Sequence, residues 1–153
     1  MLRYNRRYAV PISILYLLAI IYLTFLVREP MPIYRFSLKP LAAARRGFKF
    51  GGGIIPGLLS GSVKITSWSS LEGIVLNILL FIPFGFLVPT IWRRRWTWWK
   101  IMLIGLVASF CIEAVQLITR LGFADIDDLM NNTIGAGIGY LLYEKCLIHV
   151  VID

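Results

Sequence analysis

Of the chain's 153 residues, 58% are apolar, 14% aromatic and only 16% charged, and the mean hydropathy is +0.75. A soluble domain this small cannot hide so much apolar surface, because small domains keep a large share of their area in water. Disorder, a disulfide scaffold and an ordinary cytosolic enzyme are excluded, and the net charge of +8 flanks apolar runs, as topology signals and contacts to anionic lipid do, rather than marking a nucleic-acid surface.

The composition predicts an all-α integral membrane protein, one domain over 1–153, with spans of about 20 mostly apolar residues. Ala9–Val27 is the first and has no charge. Arg3, Arg6 and Arg7 precede it like the basic region of a signal peptide. The apolar run is long for one, however, and Leu26-Val27-Arg28-Glu29 offers no cleavage site, so it reads as a retained anchor. The loop 28–73 follows, with Pro30, Pro32, Pro40 and Pro56, a Gly51-Gly52-Gly53 run, and seven basic against two acidic residues. Within it Leu38–Phe50 reads as a short interfacial helix with Arg45, Arg46 and Lys49 toward headgroups, and Ile54–Leu59 as a dip into the membrane. The alternative is a solvated loop.

Ile74–Trp92 is the second span; Pro83-Phe84-Gly85 and Pro89 allow it to kink. Ile101–Ile118 is the third and carries one carboxylate, Glu113. Asn132–Val150 is the weakest, interrupted by Glu144 and Lys145; beginning it earlier, over 129–148, places these at the interface. Cys111 and Cys146 lie in apolar stretches and read as small buried hydrophobes rather than a disulfide. The expected fold is a four-transmembrane-helix bundle with a long extracellular loop between helices 1 and 2. Arg93, Arg94, Arg95 and Lys100, set among Trp92, Trp96, Trp98 and Trp99, join the N-terminal arginines as cytoplasmic signals. Both termini are then expected in the cytoplasm.

Spans two to four carry polar residues that a plain anchor does not need. Gly105, Ser109, Glu113, Gln116 and Arg120 fall within one sector of about 80° at 100° per residue. In span four Gly135 and Gly139 form a small-residue face, which with Gly105 suggests packing of span three on span four. Between them come Asp125, Asp127, Asp128, Asn131 and Asn132. Asp125 or Asp127 can cap the next helix. Asn77, near the start of span two, reaches the same depth, which in the expected topology is the outer leaflet. Asn77, Glu113, Gln116, Arg120, Asp125, Asp127, Asp128, Asn131 and Asn132 thus make up a candidate polar site; the basic loop is placed to fold over it. A structural ion-pair network is the alternative.

Asn77-Ile-Leu-Leu-Phe-Ile-Pro83-Phe-Gly-Phe-Leu-Val-Pro89 resembles the central signature of the VanZ-like membrane proteins. Glu113-Ala-Val-Gln116, Arg120 and Asp125-Ile-Asp127-Asp128-Leu-Met-Asn131-Asn132-Thr133-Ile-Gly135-Ala-Gly137-Ile-Gly-Tyr140 resemble its second signature. The resemblance covers roughly 70–143 and implies a bacterial plasma-membrane protein. It places the family's polar motif on Asn77, Glu113, Gln116, Arg120, Asp125, Asp128 and Asn132. The founding member is associated with low-level resistance to teicoplanin, a lipoglycopeptide.

The sole histidine, His149, falls at the far end of span four, so Ser109 has no Ser-His pairing. No ligand spacing demands a metal and no glycine-rich loop suggests a nucleotide. No cofactor is expected, and a non-enzymatic role in antibiotic susceptibility is favoured over an enzyme or transporter handling an envelope lipid such as a polyprenyl phosphate. The partners expected are membrane lipids, anionic or envelope lipids among them, and a lipoglycopeptide antibiotic, without nucleic acid.

Overall fold

The computed structural model describes residues 6–26, 32, 36–42, 48–50, 59, 63–65, 67–92, 96–122 and 124–152. Helix α1 is Arg6–Ile21 and widens into a π-helical turn, Tyr22–Leu26. Helix α2 is Trp68–Ile91, α3 is Trp98–Thr119 and α4 is Ile126–Ile152. Strand β1 (Phe36–Ser37) runs parallel to β4 (Ala124–Asp125), and β2 (Phe48–Phe50) pairs antiparallel with β3 (Val63–Ile65).

Among the described residues three helices are long and apolar enough to cross a membrane: Tyr8–Leu26, α2 and α3. Only 22%, 28% and 22% of these spans is buried within the protein. Leu15, Leu18, Leu79, Val107 and Phe110 all face outward. Such a surface is compatible with hydrocarbon, not water.

Helix α4 lies outside that apolar set because it carries Asp127, Asp128, Asn131, Asn132, Glu144 and Lys145. It packs most extensively on α2 and next on α3, while α2 and α3 have little contact with each other. Its middle, from Gly135 to Gly137 with Gly139 and Tyr140, is buried against these helices, while Ile134, Leu141 and Leu142 are exposed. The core forms around it: Ala136 and Tyr140 of α4 meet Phe81 and Val88 of α2 and Ile101 of α3.

The α2–α4 contact is made at backbone distance. A β-carbon on Gly85 would lie 1.9 Å from the Ala136 carbonyl oxygen, and one on Gly139 would lie 2.0 Å from the Ile82 carbonyl oxygen. One on Gly135 would lie 2.3 Å from the Ile78 carbonyl oxygen. Span three does pack on span four, as the sequence suggested, but the small face of Gly135 and Gly139 meets α2. Span three uses Gly105 instead, against the Ala136 methyl. The reason is complementarity: α2 brings its own glycine, Gly85, to the crossing.

Other boundaries also differ. Helix α2 begins six residues before the expected Ile74, because the Ser67 side chain accepts the Ser70 amide and caps it. Phe48–Phe50 is extended rather than the end of an interfacial helix, its backbone paired to Val63–Ile65. Arg45, Arg46 and most of Ile54–Leu59 lie outside the described residues. Cys111 and Cys146 are free thiols on the exposed surface, not buried. Helix α1 is attached lightly, by packing on α2 and by the Tyr16 hydroxyl donating to the Leu80 carbonyl at 2.7 Å.

Gly85→Val and Gly139→Val are expected to lower the melting temperature of the purified protein. Overpacking costs about 1–3 kcal/mol, and here the nearest neighbour atoms are backbone. Gly73→Ala, which would meet nothing within 4 Å, is expected to leave melting unchanged or slightly raised. Circular dichroism melts in detergent compare the three.

Candidate functional site

Helices α2 and α4 each begin, and α3 ends, at the same end of the bundle. At that end Asn77 sits two turns into α2 and faces the first turn of α4. Its Nδ2 donates to Asp128 Oδ1 at 2.5 Å. Helix α3 closes at Arg120, whose backbone is left-handed at φ 61° and whose amide returns to the Leu117 carbonyl. The chain then turns through Gly122 into β4. The next helix is capped by Asp125: its Oδ1 accepts the Asp127 amide at 3.0 Å. Asp127 and Asp128 in the first turn complement the dipole of α4.

The predicted stripe on α3 is the buried face of that helix: Gly105, Ser109, Glu113 and Gln116 are all buried, and Arg120 lies exposed at its end. Each polar member engages a different element. Ser109 Oγ accepts Asn132 Nδ2 of α4 at 2.8 Å. Glu113 Oε2 accepts the Asp125 amide at 3.1 Å, so this buried carboxylate holds the end of β4. Gln116 Nε2 donates to the Thr24 carbonyl in the π-turn of α1 at 3.2 Å. The stripe thereby ties α1, the connection and α4 to α3.

The loop does reach the acidic connection. Phe36 and Ser37 pair with Ala124 and Asp125 in a parallel ladder, and the Leu41 amide donates to Asp127 Oδ1 at 2.5 Å. Leu41 adopts a positive φ of 59° to do so.

Two faces result. The inner one is the seam of Ser109, Glu113, Gln116 and Asn132, within which Thr24 Oγ1, Gln116 Oε1 and Asn132 Oδ1 are sealed without a partner. The outer one is a cleft of about 230 Å³ lined by Asp125, Asp128 and Asn131 and, from α2, by Ser69, Ser70, Gly73 and Ile74. Of the nine predicted residues, Asn77, Glu113, Asp125, Asp127, Asp128, Asn131 and Asn132 are brought together here. Gln116 turns toward α1, and Arg120 marks the rim. Sequence reasoning missed Thr24, the Leu41 amide and the two α2 serines. Ser67-Trp68-Ser69-Ser70 before an apolar run is a helix-start signal that could have found the serines; Thr24 carries none.

A family model described as VanZ/LLP1 matches residues 13–149. Protein VanZ of Enterococcus faecium is 32% identical over 78 residues, which are 51% of this chain and 48% of that protein. The chain thus spans about half the length of the curated relative it matches. No solved structure matches it.

The Asn77–Asp128 bond is expected to couple α2 to α4. In a double-mutant cycle with Asn77→Leu and Asp128→Leu, melting should show an interaction of about 0.6–1.7 kcal/mol, the range found for polar contacts between membrane helices. Purely additive effects would mean that the bond contributes nothing.

Proposed function

Because the chain belongs to the VanZ/LLP1 family, we propose that it acts in a bacterial plasma membrane and modulates susceptibility to lipoglycopeptide antibiotics of the teicoplanin type. All four long helices cross the membrane in this reading, with both termini in the cytoplasm. The basic, Trp-rich connection 92–100 then lies inside and the polar site in the outer leaflet. The observation that supports it is that the Asn77–Asp128 and Asp125–Glu113 bonds lie at the same end of a bundle whose α1, α2 and α3 expose many large apolar side chains.

An acyl tail gains roughly 0.8 kcal/mol per buried CH₂ and concentrates a drug at the membrane surface. A polar site at that depth is placed to interfere with such anchoring. A phosphate ligand, as for polyprenyl phosphate handling, fits less well, because two carboxylates line the cleft.

Two measurements test this reading. In a Cys-free background, Ser60→Cys is expected to react with an impermeant reagent on intact cells and Thr97→Cys to be protected; the reverse pattern moves the site to the cytoplasmic leaflet. In a sensitive Gram-positive host, expression is expected to raise resistance to teicoplanin with little change for untailed vancomycin. Glu113→Gln and Asp128→Asn should abolish that protection at unchanged membrane abundance on immunoblots. Equal protection against both drugs would sink the tail-based mechanism.

A further inference from the structure

Four hydroxyls inside the helices share one arrangement. Those of Ser13, Thr90, Thr119 and Thr133 each donate to the carbonyl four residues back, at 2.6–2.7 Å. Thr24 departs from it. It lies in the π-turn Tyr22–Leu26, where the carbonyl spacing of an α-helix is lost, and its Oγ1 is sealed without a partner. Of the five residues in this turn Thr24 alone is buried, while Tyr22, Leu23 and Leu26 point outward. The Thr24 carbonyl accepts Gln116 Nε2 of α3 at 3.2 Å, yet Gln116 Oε1 is likewise sealed and unpartnered. About two turns along the same face of α3, Asn132 Oδ1 is the third such atom, its Nδ2 being bonded to Ser109.

A buried polar atom without a partner carries its full desolvation cost, and the closed seam carries three. What holds the turn in place is slight. It is the Gln116–Thr24 bond, with the Tyr16–Leu80 bond and the packing of α1 on α2 further back. Tyr22, Leu23 and Leu26 already face outward, so a swing of the turn changes their surroundings little. The unpaired atoms decide what such a swing admits. Gln116 Oε1 and Asn132 Oδ1 only accept, whereas Thr24 Oγ1 both donates and accepts. A hydroxyl group, donor and acceptor at once, pairs with all three. An ammonium has no lone pair for the Thr24 proton. An anion would meet two amide oxygens and the Glu113 carboxylate on the same face of α3.

We propose that the π-turn Tyr22–Leu26 is a lid on the seam between α3 and α4. It swings away from α3 with the release of the Gln116–Thr24 bond, while the Tyr16–Leu80 bond keeps the rest of α1 on α2. The opened seam receives hydroxyl groups at Thr24, Gln116 and Asn132, from water or from a hydroxyl-bearing lipid headgroup. The lid does not depend on drug protection, and its test has no drug readout.

The test uses the full chain in nanodiscs, with Cys111→Ser and Cys146→Ser removing the two exposed free thiols. Ser109→Cys, which keeps a weaker acceptor for Asn132, reports opening of the seam through its reaction with N-ethylmaleimide. Ile101→Cys, at a position equally buried near the other end of α3, reports global unfolding. The seam thiol is expected to react at least about tenfold faster than this control, because local opening costs less than global unfolding. Thr24→Val puts a methyl in place of the unpaired hydroxyl and leaves the carbonyl for Gln116. It is expected to slow seam labelling several-fold and to raise the melting temperature by roughly a few degrees. Thr24→Ser, which keeps the hydroxyl, should label at the unsubstituted rate. Rates in each lipid are taken relative to Ile101→Cys. Slower seam labelling in phosphatidylglycerol, whose headgroup carries hydroxyls, than in phosphatidylcholine, whose headgroup carries none, assigns the admitted group to lipid; equal rates assign it to water. A seam thiol that reacts no faster than Ile101→Cys, or a Thr24→Val variant that fails to slow labelling or melts lower, overturns the proposal.

Discussion

The backbone-to-backbone crossing of α2 and α4 is the constraint from which the remaining architecture follows. Three missing β-carbons, at Gly85, Gly135 and Gly139, let each helix lie against the other's carbonyl groups. Close van der Waals contact between small residues supplies attraction at such a crossing. Once α4 is seated there, its register is set. Asp128 stands opposite Asn77, Ala136 opposite Gly105, and Asn132 opposite Ser109.

That register also explains how so many polar groups are accommodated within apolar surroundings. Isolated, Glu113 or Asn132 would be expensive in a bilayer. Placed on the inward faces of α3 and α4, each finds a protein partner: the Asp125 amide for Glu113 and the Ser109 hydroxyl for Asn132. The apolar exteriors of α1, α2 and α3 face outward around them. The loop after α1 closes the open end through a short parallel ladder and the Leu41–Asp127 bond. The polar site is therefore bounded by backbone on several sides, which limits how far its carboxylates can move.

Much of this could be read from the residues alone. The α3 stripe was legible because a helix has a fixed period, and one buried face must collect Gly105, Ser109, Glu113 and Gln116. The capping role of Asp125 was legible from local chemistry, as one of two candidates. The partner of the Gly135–Gly139 face was not, since a small face states that something comes close without stating what does. The complementary signal was Gly85, read in sequence only as part of a kink. Loop strands were illegible for another reason. Their partners lie far away in the chain, Leu41 and Asp127 being 86 positions apart, and no local pattern encodes such pairing. The contact of Gln116 with the Thr24 carbonyl was hidden likewise, because a backbone acceptor freed by a π-turn has no side-chain signature.

The central place of α4 has a consequence for biogenesis. Helices α2 and α3 are synthesised first and have little contact of their own, so until α4 enters, each presents its small-residue or polar face without its mate. Asp125 reaches Glu113, and the loop finds its strand partner, only when the segment leading into α4 has emerged. Chains generally acquire structure from the N-terminus during synthesis, but here the early segments wait for a late one. A nascent chain halted after α3 would hold Ser109 and Glu113 without Asn132 and the Asp125 amide, their partners in the finished fold.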